Sequence, residues 1–346
     1  MILEYTNVSG RTLEWLRSGL MLTGDFCFPD EYDHIIVVGA GSSLGKSLVC
    51  FFLSLKNSGL LNSSITAVCR RESQSFYRNF VNDMSVVNMY PEERQGRKIV
   101  FYCASPADPS AYLGNALLTF DLNSVKLAAI CRTLGEKDRF VFFSTSGVYD
   151  RSGADFGYMP DESSPVSRLD LTNENAIYVN SKLVGEYITM LWARARKFKP
   201  LIIRLSITYT PFYRPDDPRL HNVVLGSLIN GSELRMKSLG YDKRNFLCVF
   251  DFIRAICRIC VIPSEHIFCN ITHPCEVSVR QFVERLQEVA KRTNGFHIAW
   301  TDDRTASGTD FIRTGVTNKV LESLNWDPVW SLERGYESIV DLYLSE

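Results

Sequence analysis

Ile35-Ile36-Val37-Val38-Gly39-Ala40-Gly41-Ser42-Ser43-Leu44-Gly45 reads as a strand, a turn and the opening of a helix. The first four residues are an unbroken β-branched run, the mark of a strand buried on both faces. Gly39, Gly41 and Gly45 let the backbone turn sharply, approach a pyrophosphate and pack the following helix closely. Ser42, Ser43 and Leu44 bring the helix's free N–H groups and positive dipole end to the same place. These six residues are therefore the candidate dinucleotide contacts. Lys46-Ser47 invites a phosphate-loop reading, but GxxxxGK[ST] needs glycine at position 40, where Ala40 stands.

Outward from this turn, apolar β-rich runs at 65–69, 99–103, 140–144 and 201–205 alternate with helical patterns at 116–134 and 176–197. That alternation predicts an α/β fold with a doubly wound parallel sheet. Residues 34–210 form the expected dinucleotide-binding domain. Residues 1–33 are an N-terminal extension holding an amphipathic helix at 12–22, with Leu13, Leu16, Leu20 and Met21 on its apolar face. The loop-rich, short-stranded segments at 211–246 and 261–312 suit a smaller substrate-binding lobe, so that 211–346 is mainly this lobe with some segments returning to the sheet.

A chain of 346 residues, 45% hydrophobic and 22% charged, buries a sizeable core. Its formal net charge of -1 provides no global field for nucleic acid or an anionic membrane, and neither partner is expected. The apolar run 35–55 is broken by three glycines and Lys46, too interrupted to span a membrane. Met1 to Tyr5 lacks the pattern of a signal peptide. The ten cysteines are scattered through apolar segments. Cys257 and Cys260 make a lone CxxC, without the second ligand pair of a zinc site, so no metal is expected. Reduced, buried thiols imply a reducing compartment, the cytoplasm.

Tyr178 and Lys182 stand at i and i+4, one turn apart on a helix face. A lysine ammonium beside a phenol favours the phenolate and suits the tyrosine to general acid/base work. The strand Phe142-Phe143-Ser144-Thr145-Ser146 ends in hydroxyl residues at the carboxyl edge of the sheet, where ligands bind in such folds. At the end of the second strand stand Arg70 and Arg71, where an acid usually receives the ribose of NAD. Arg70 there fits a 2′-phosphate and favours NADP; the other reading of the pair is a solvated strand end.

In this order the motifs resemble the extended short-chain dehydrogenase/reductase family, the NAD-dependent epimerase/dehydratase group of nucleotide-sugar enzymes. Asp121-Leu122-Asn123 is similar to its D-x-N helix start, 204–211 to its R-x-x-x-x-Y-G-P turn, and 244–251 to its R-D-F-x-x-V-x-D segment. Leu324-Asn325-Trp326-Asp327-Pro328 with Ser331-Leu332-Glu333-Arg334-Gly335 is similar to its L-G-W-x-P…S-L-x-x-G ending. The resemblance implies a Rossmann-type fold, an NAD(P) cofactor and a nucleotide-diphosphate sugar as substrate. It implies catalytic roles for Thr145, Tyr178 and Lys182, with Lys182 also binding the nicotinamide ribose. Ala104 and Ser105 would pass the cofactor, and Ser146, Arg244 and Arg313 would meet the substrate. It also implies a homodimer in which helices 116–134 and 176–194 pair with their copies, through residues including Leu117, Val125, Leu127, Ile130, Val184, Ile188, Leu191 and Trp192.

The chain looks closest to the UDP-glucuronate decarboxylase and dehydratase branch, but Gly147 stands where that branch carries a glutamate. Ser146 replaces the aspartate with which sugar 4,6-dehydratases protonate. Neither replacement supplies the acid, so the expected function is epimerase or reductase chemistry at C4. Decarboxylation or dehydration is the alternative within enzymes, and a non-catalytic dinucleotide-binding regulator the alternative from another class.

Overall fold

The computed structural model describes residues 10–21, 28–92, 95–150, 158–170, 172–236, 239–261, 266–291, 298–300 and 315–344. Seven parallel strands form its main sheet: β1 (His34–Val38), β2 (Ser64–Val68), β3 (Ser85–Val87), β4 (Lys98–Tyr102), β5 (Arg139–Thr145), β6 (Lys199–Leu205) and β7 (Phe268–Ile271). Their order is β7-β6-β5-β4-β1-β2-β3. The winding reverses between β1 and β4, whose last residues Val38 and Tyr102 pair. A crevice opens there at the carboxyl ends of the strands, the place where such sheets bind ligands. This is the Rossmann-type doubly wound fold.

Both faces of the sheet are covered. In β1, Ile35 and Val37 enter one apolar cluster while Ile36 and Val38 enter the other, and β5 divides Val141 and Phe143 from Phe140 and Phe142 in the same way. A period of two with apolar residues on both sides is why these strands read as continuous hydrophobic runs. Helix α1 (Gly10–Met21) packs on the first cluster through Leu13, Leu16 and Leu20. Met21, expected on the same face, is exposed. Trp15 lies 4.4 Å from the Phe250 ring, and its indole N–H donates to the Ser338 carbonyl at 2.9 Å, fastening the N-terminal helix to the C-terminal one.

Helix α2 (Ser43–Asn57) follows the glycine turn. The single helix expected over 116–134 is instead a composite, α3: Ala116–Asp121, a π-helical segment Leu122–Lys126, then Leu127–Cys131. Asn123 sits in the π segment, and its amide reaches Ser105 and Ser181 outside the helix as well as the Thr119 carbonyl one turn back, the kind of side-chain insertion that accompanies such bulges. Helix α4 (Ile177–Arg196) carries the Tyr178/Lys182 pair. Helices α5 (Leu220–Asn230) and α7 (Val279–Lys291) stand in segments expected to be loop-rich, before and after α6 (Val249–Val261). In α7, Phe282, Val283, Leu286, Val289 and Ala290 are buried at helical spacing, a pattern masked in the sequence by nearby Pro263, Pro274 and Gly295. Helix α8 (Leu332–Leu344) closes the described chain. No helix among the described residues is long and apolar enough to cross a membrane.

Candidate active site

The β1–α2 turn is held by its own hydrogen bonds. Gly39 and Ala40 both donate N–H to the Val68 carbonyl, at 2.9 and 3.1 Å. Gly39 has φ +83, and a Cβ there would lie 2.5 Å from the Ala104 nitrogen, so only glycine fits. A Cβ on Gly45 would lie 2.4 Å from the Gly39 oxygen. Ser42 caps α2: its hydroxyl donates to the Gly39 carbonyl at 2.8 Å and accepts the Gly45 N–H at 3.1 Å. The Ser43 hydroxyl donates to the Phe212 carbonyl at 3.3 Å. Above the turn, Cys103 N–H donates to Val38 at 2.7 Å and brings Ala104 and Ser105 across the crevice. A close-packed glycine turn opening a 15-residue helix has the shape and donors that a dinucleotide pyrophosphate requires. Lys46 has no part in a phosphate loop. It is buried, with its ammonium 4.1 Å from the centroid of the Phe76 ring, and burial lowers its pKa to about 8.

Thr145 ends β5, and its Oγ1 accepts the Gly147 N–H at 3.2 Å. Tyr178, partly buried near the start of α4, is hydrogen-bonded to Thr145 and stacks on Tyr112, with ring centroids 5.2 Å apart and planes 18° from parallel. Burial pushes the Tyr178 phenol up to about 12; the charge of Arg219 and the Thr145 hydrogen bond pull against it. Lys182 is 3% exposed and donates from Nζ to the Phe143 carbonyl at 2.7 Å. Its ammonium lies 5.8 Å from the Tyr178 ring centroid. Burial lowers the Lys182 pKa to about 7, opposed by Cys103 and Glu186.

A buried polar chain supports this edge. Glu186, one turn beyond Lys182, accepts the Ser144 hydroxyl at 2.5 Å and pairs with Arg204 through Nε at 3.1 Å and a second nitrogen at 2.8 Å. Arg204 lies 4.9 Å from the Tyr149 ring, whose hydroxyl donates to Asn270 Oδ1 at 2.7 Å. On the other side Asn123 Nδ2 donates to Ser105 at 2.9 Å and Ser181 at 3.0 Å, joining the loop that follows β4 to the helix that carries Tyr178.

Residues 35–267 match the NAD dependent epimerase/dehydratase family. The chain belongs to that family. Among curated relatives it is 24% identical over 247 residues to UDP-glucuronic acid decarboxylase 1 of Arabidopsis thaliana, covering 70% of this chain and 54% of that protein. It is 26% identical over 215 residues to dTDP-D-glucose 4,6-dehydratase of Mus musculus, covering 60% and 56%. The chain thus spans little more than half the length of these relatives. Among solved structures, UDP-glucose 4-epimerase of Thermotoga maritima superposes with a TM-score of 0.69 at 18% identity, over 90% of this chain and 99% of that one. UDP-glucuronic acid 4-epimerase of Bacillus cereus gives 0.71 at 17% identity, over 90% and 99%.

Within this epimerase/dehydratase frame, the structure brings Gly39, Gly41, Ser42, Ser43, Leu44, Gly45, Ala104 and Ser105 to one crevice and Thr145, Tyr178 and Lys182 to its edge. Ser146 follows Thr145 in the short turn Ser146–Val148. Arg70 is 82% exposed and pairs with Glu72 at 3.1 Å, and the family description, which names NAD, lends no support to a preference for NADP. Arg244, expected to grip a diphosphate, pairs with Asp242 at 3.0 Å and donates to the Lys243 carbonyl at 2.7 Å. Arg313 lies outside the described residues. Of the residues expected on a dimer face, Leu127 and Ile130 are buried in the sheet's second cluster, because the C-terminal part of α3 faces the sheet.

Two site residues, Tyr112 and Arg219, carry no motif in the sequence. Tyr112 sits on the six-residue helix Pro109–Gly114, whose Asp108 cap and first-turn proline are a legible helix start. Arg219 reaches toward Tyr178 from the segment before α5, clamped on Asp217 at 2.9 and 3.0 Å through Nε. Asn123 was legible as a motif but not as the bridge it makes.

Proposed function

We propose that this chain is an NAD(P)-dependent enzyme that oxidises or reduces C4 of a nucleotide-diphosphate sugar, as an epimerase or a reductase. The observation that carries this reading is the meeting of Tyr178, Thr145 and Lys182 beside the glycine turn. The turn residues, Ala104, Ser105 and Lys182 would hold the dinucleotide, which supplies the hydride acceptor or donor when bound. Whether Arg70 and Arg71 meet a 2′-phosphate decides between NADP and NAD. Ser146 and Arg313 remain proposed substrate contacts, and Arg244 joins them if substrate displaces Asp242.

A phenol held near 12 keeps its proton at neutral pH. Tyr178 is then a proton donor to a C4 oxygen in the reducing direction, and Thr145 shares a hydrogen bond with the same oxygen. In the oxidising direction Tyr178 must give up its proton elsewhere first. Lys182, whose charge lies near its midpoint at neutral pH, and Arg219 are the cations that favour this.

A Cβ on Gly147 would meet Thr145 Oγ1 and Val179 Cγ2 at 3.5 Å, ordinary contact, so the turn has room for a side chain and carries none. With no carboxylate at that place, chemistry confined to C4 is favoured over loss of carbon dioxide or water. The curated relatives favour the second reading, a decarboxylase or dehydratase. Mass spectrometry after incubation with UDP-glucuronate and with 4,6-dehydratase substrates separates the two, since loss of either small molecule changes the product mass. Turnover without that loss supports the first reading.

The division into an extension (1–33), a cofactor domain (34–210) and a mainly substrate-binding lobe (211–346) belongs to the same proposal, as does a homodimer. Leu117, Val125, Tyr187 and Leu191 are exposed on α3 and α4, an apolar surface suited to a second copy of the chain. The buried, unbridged Cys257 and Cys260 support a cytoplasmic setting.

A further inference from the structure

We propose that Tyr112 is a positioning residue for Tyr178: its ring clamps the plane of the acid/base ring and keeps water from that face. This inference rests on the role given to Tyr178 above. The two rings are 5.2 Å apart and 18° from parallel, an offset stack that aromatic pairs favour.

Both partners of the stack are tied to one buried side chain. Asn123 is fully buried in the π segment of α3. Its amide donates to Ser105 at 2.9 Å, seven residues before Tyr112, and to Ser181 at 3.0 Å, three residues after Tyr178. The Ser181 hydroxyl in turn donates to the Tyr178 carbonyl at 2.8 Å. Between Ser105 and Tyr112 the chain is fixed again by Asp108, whose carboxylate accepts the Ala111 N–H at 2.9 Å and the Ser110 hydroxyl at 2.5 Å. The helix that presents Tyr112 is therefore anchored at its start, by the Asp108 cap and, three residues earlier, by Ser105.

The consequence is chemical as well as steric. One ring face of Tyr178 is covered by Tyr112, while the Lys182 ammonium lies 5.8 Å from its centroid. A covered phenol loses hydration, which disfavours the phenolate, and burial is the largest cause of the raised Tyr178 pKa. Tyr112 thus holds the ring in line with Thr145 and keeps Tyr178 in its proton-donating form.

Ring-labelled tyrosine NMR on the full chain tests the stack without any turnover. The Tyr178 signal, assigned by its loss in Tyr178→Phe, should show an upfield ring-current shift that survives Tyr112→Phe and disappears in Tyr112→Leu, which keeps bulk without a π-face. In parallel, Tyr112→Leu should lower kcat roughly two- to tenfold with a smaller change in KM, and Tyr112→Ala, which uncovers the ring face, should also move the Tyr178-dependent limb of the pH profile to lower pH, while Tyr112→Phe keeps wild-type behaviour in both respects. A Tyr178 signal unchanged in a folded Tyr112→Leu overturns the proposal. So does a loss in Tyr112→Phe equal to that in Tyr112→Leu, which would assign the effect to the hydroxyl, or an effect on KM alone, which would make Tyr112 a substrate contact. Absence of turnover with every nucleotide sugar, the ring-current pattern being intact, would count against the enzymatic reading and leave the clamp standing.

Discussion

Replacing Lys182 with methionine removes a buried cation whose pKa is lowered from 10.5 to about 7. The unfolded chain therefore binds more protons than the folded one between those two values, and stability must rise with pH through that window. Below pH 7 both states hold the proton and the burial cost is felt in full; above 10.5 both have lost it and the cost is gone. The gap in proton affinity corresponds to roughly 5 kcal/mol in total, of which about 2–3 kcal/mol is regained between pH 6 and pH 9. Lys182→Met also leaves the Phe143 carbonyl without its 2.7 Å donor, but that loss is independent of pH and shifts only the offset. Urea unfolding of both proteins at pH 6, 7, 8 and 9 isolates the effect, because titrations common to both cancel in the difference. Wild type should gain on the variant steadily over this range. A difference that stays flat would mean that Lys182 keeps an ordinary pKa, and the account of its charge near Tyr178 would have to be abandoned.

Tyr178→Phe should bind cofactor and sugar nearly normally yet lose turnover on the order of a hundredfold or more, as steady-state kinetics beside a binding titration will read; full activity would end the mechanism. Replacing Arg70 and Arg71 with alanine should weaken NADP more than NAD in fluorescence titration, whereas equal effects would make them surface charges. Light scattering at micromolar concentration should report a dimer that Leu117→Glu combined with Val125→Glu converts to monomer, since both side chains are more exposed than buried, at 86% and 61%; a clean wild-type monomer would refute the pairing. Incubated with UDP-glucuronate, the wild type should release no carbon dioxide, and efficient release would show that another group replaces the acid missing at Gly147.

What the sequence discloses is chemistry that is local along the chain. The glycine turn is readable because strand, turn and capped helix fall within eleven residues, and each residue's job follows from its neighbours. Tyr178 and Lys182 are readable because helical geometry converts a spacing of four into one face, and Thr145 because a hydroxyl ending a buried strand must emerge at the sheet's edge. β3 and β7 escape because three or four residues give too little periodicity to mark a strand.

Charge partners are where local reading misleads. Arg244 carries a motif, but Asp242 two residues earlier pairs with it at 3.0 Å, so a diphosphate would have to compete with that carboxylate. Arg219 carries no motif, yet its charge is the first of the influences that pull the Tyr178 phenol down. Glu186 carries no motif either and sits deeper still, Oε1 accepting from both Ser144 and Arg204 Nε and Oε2 from Arg204 alone. A buried carboxylate of this kind is tolerable only because the arginine compensates it, and that compensation joins residues 144, 186 and 204 from three separate elements. Its cost and its benefit therefore exist only once β5, β6 and α4 are packed together, where it holds the residue before Thr145 and lies one turn from Lys182.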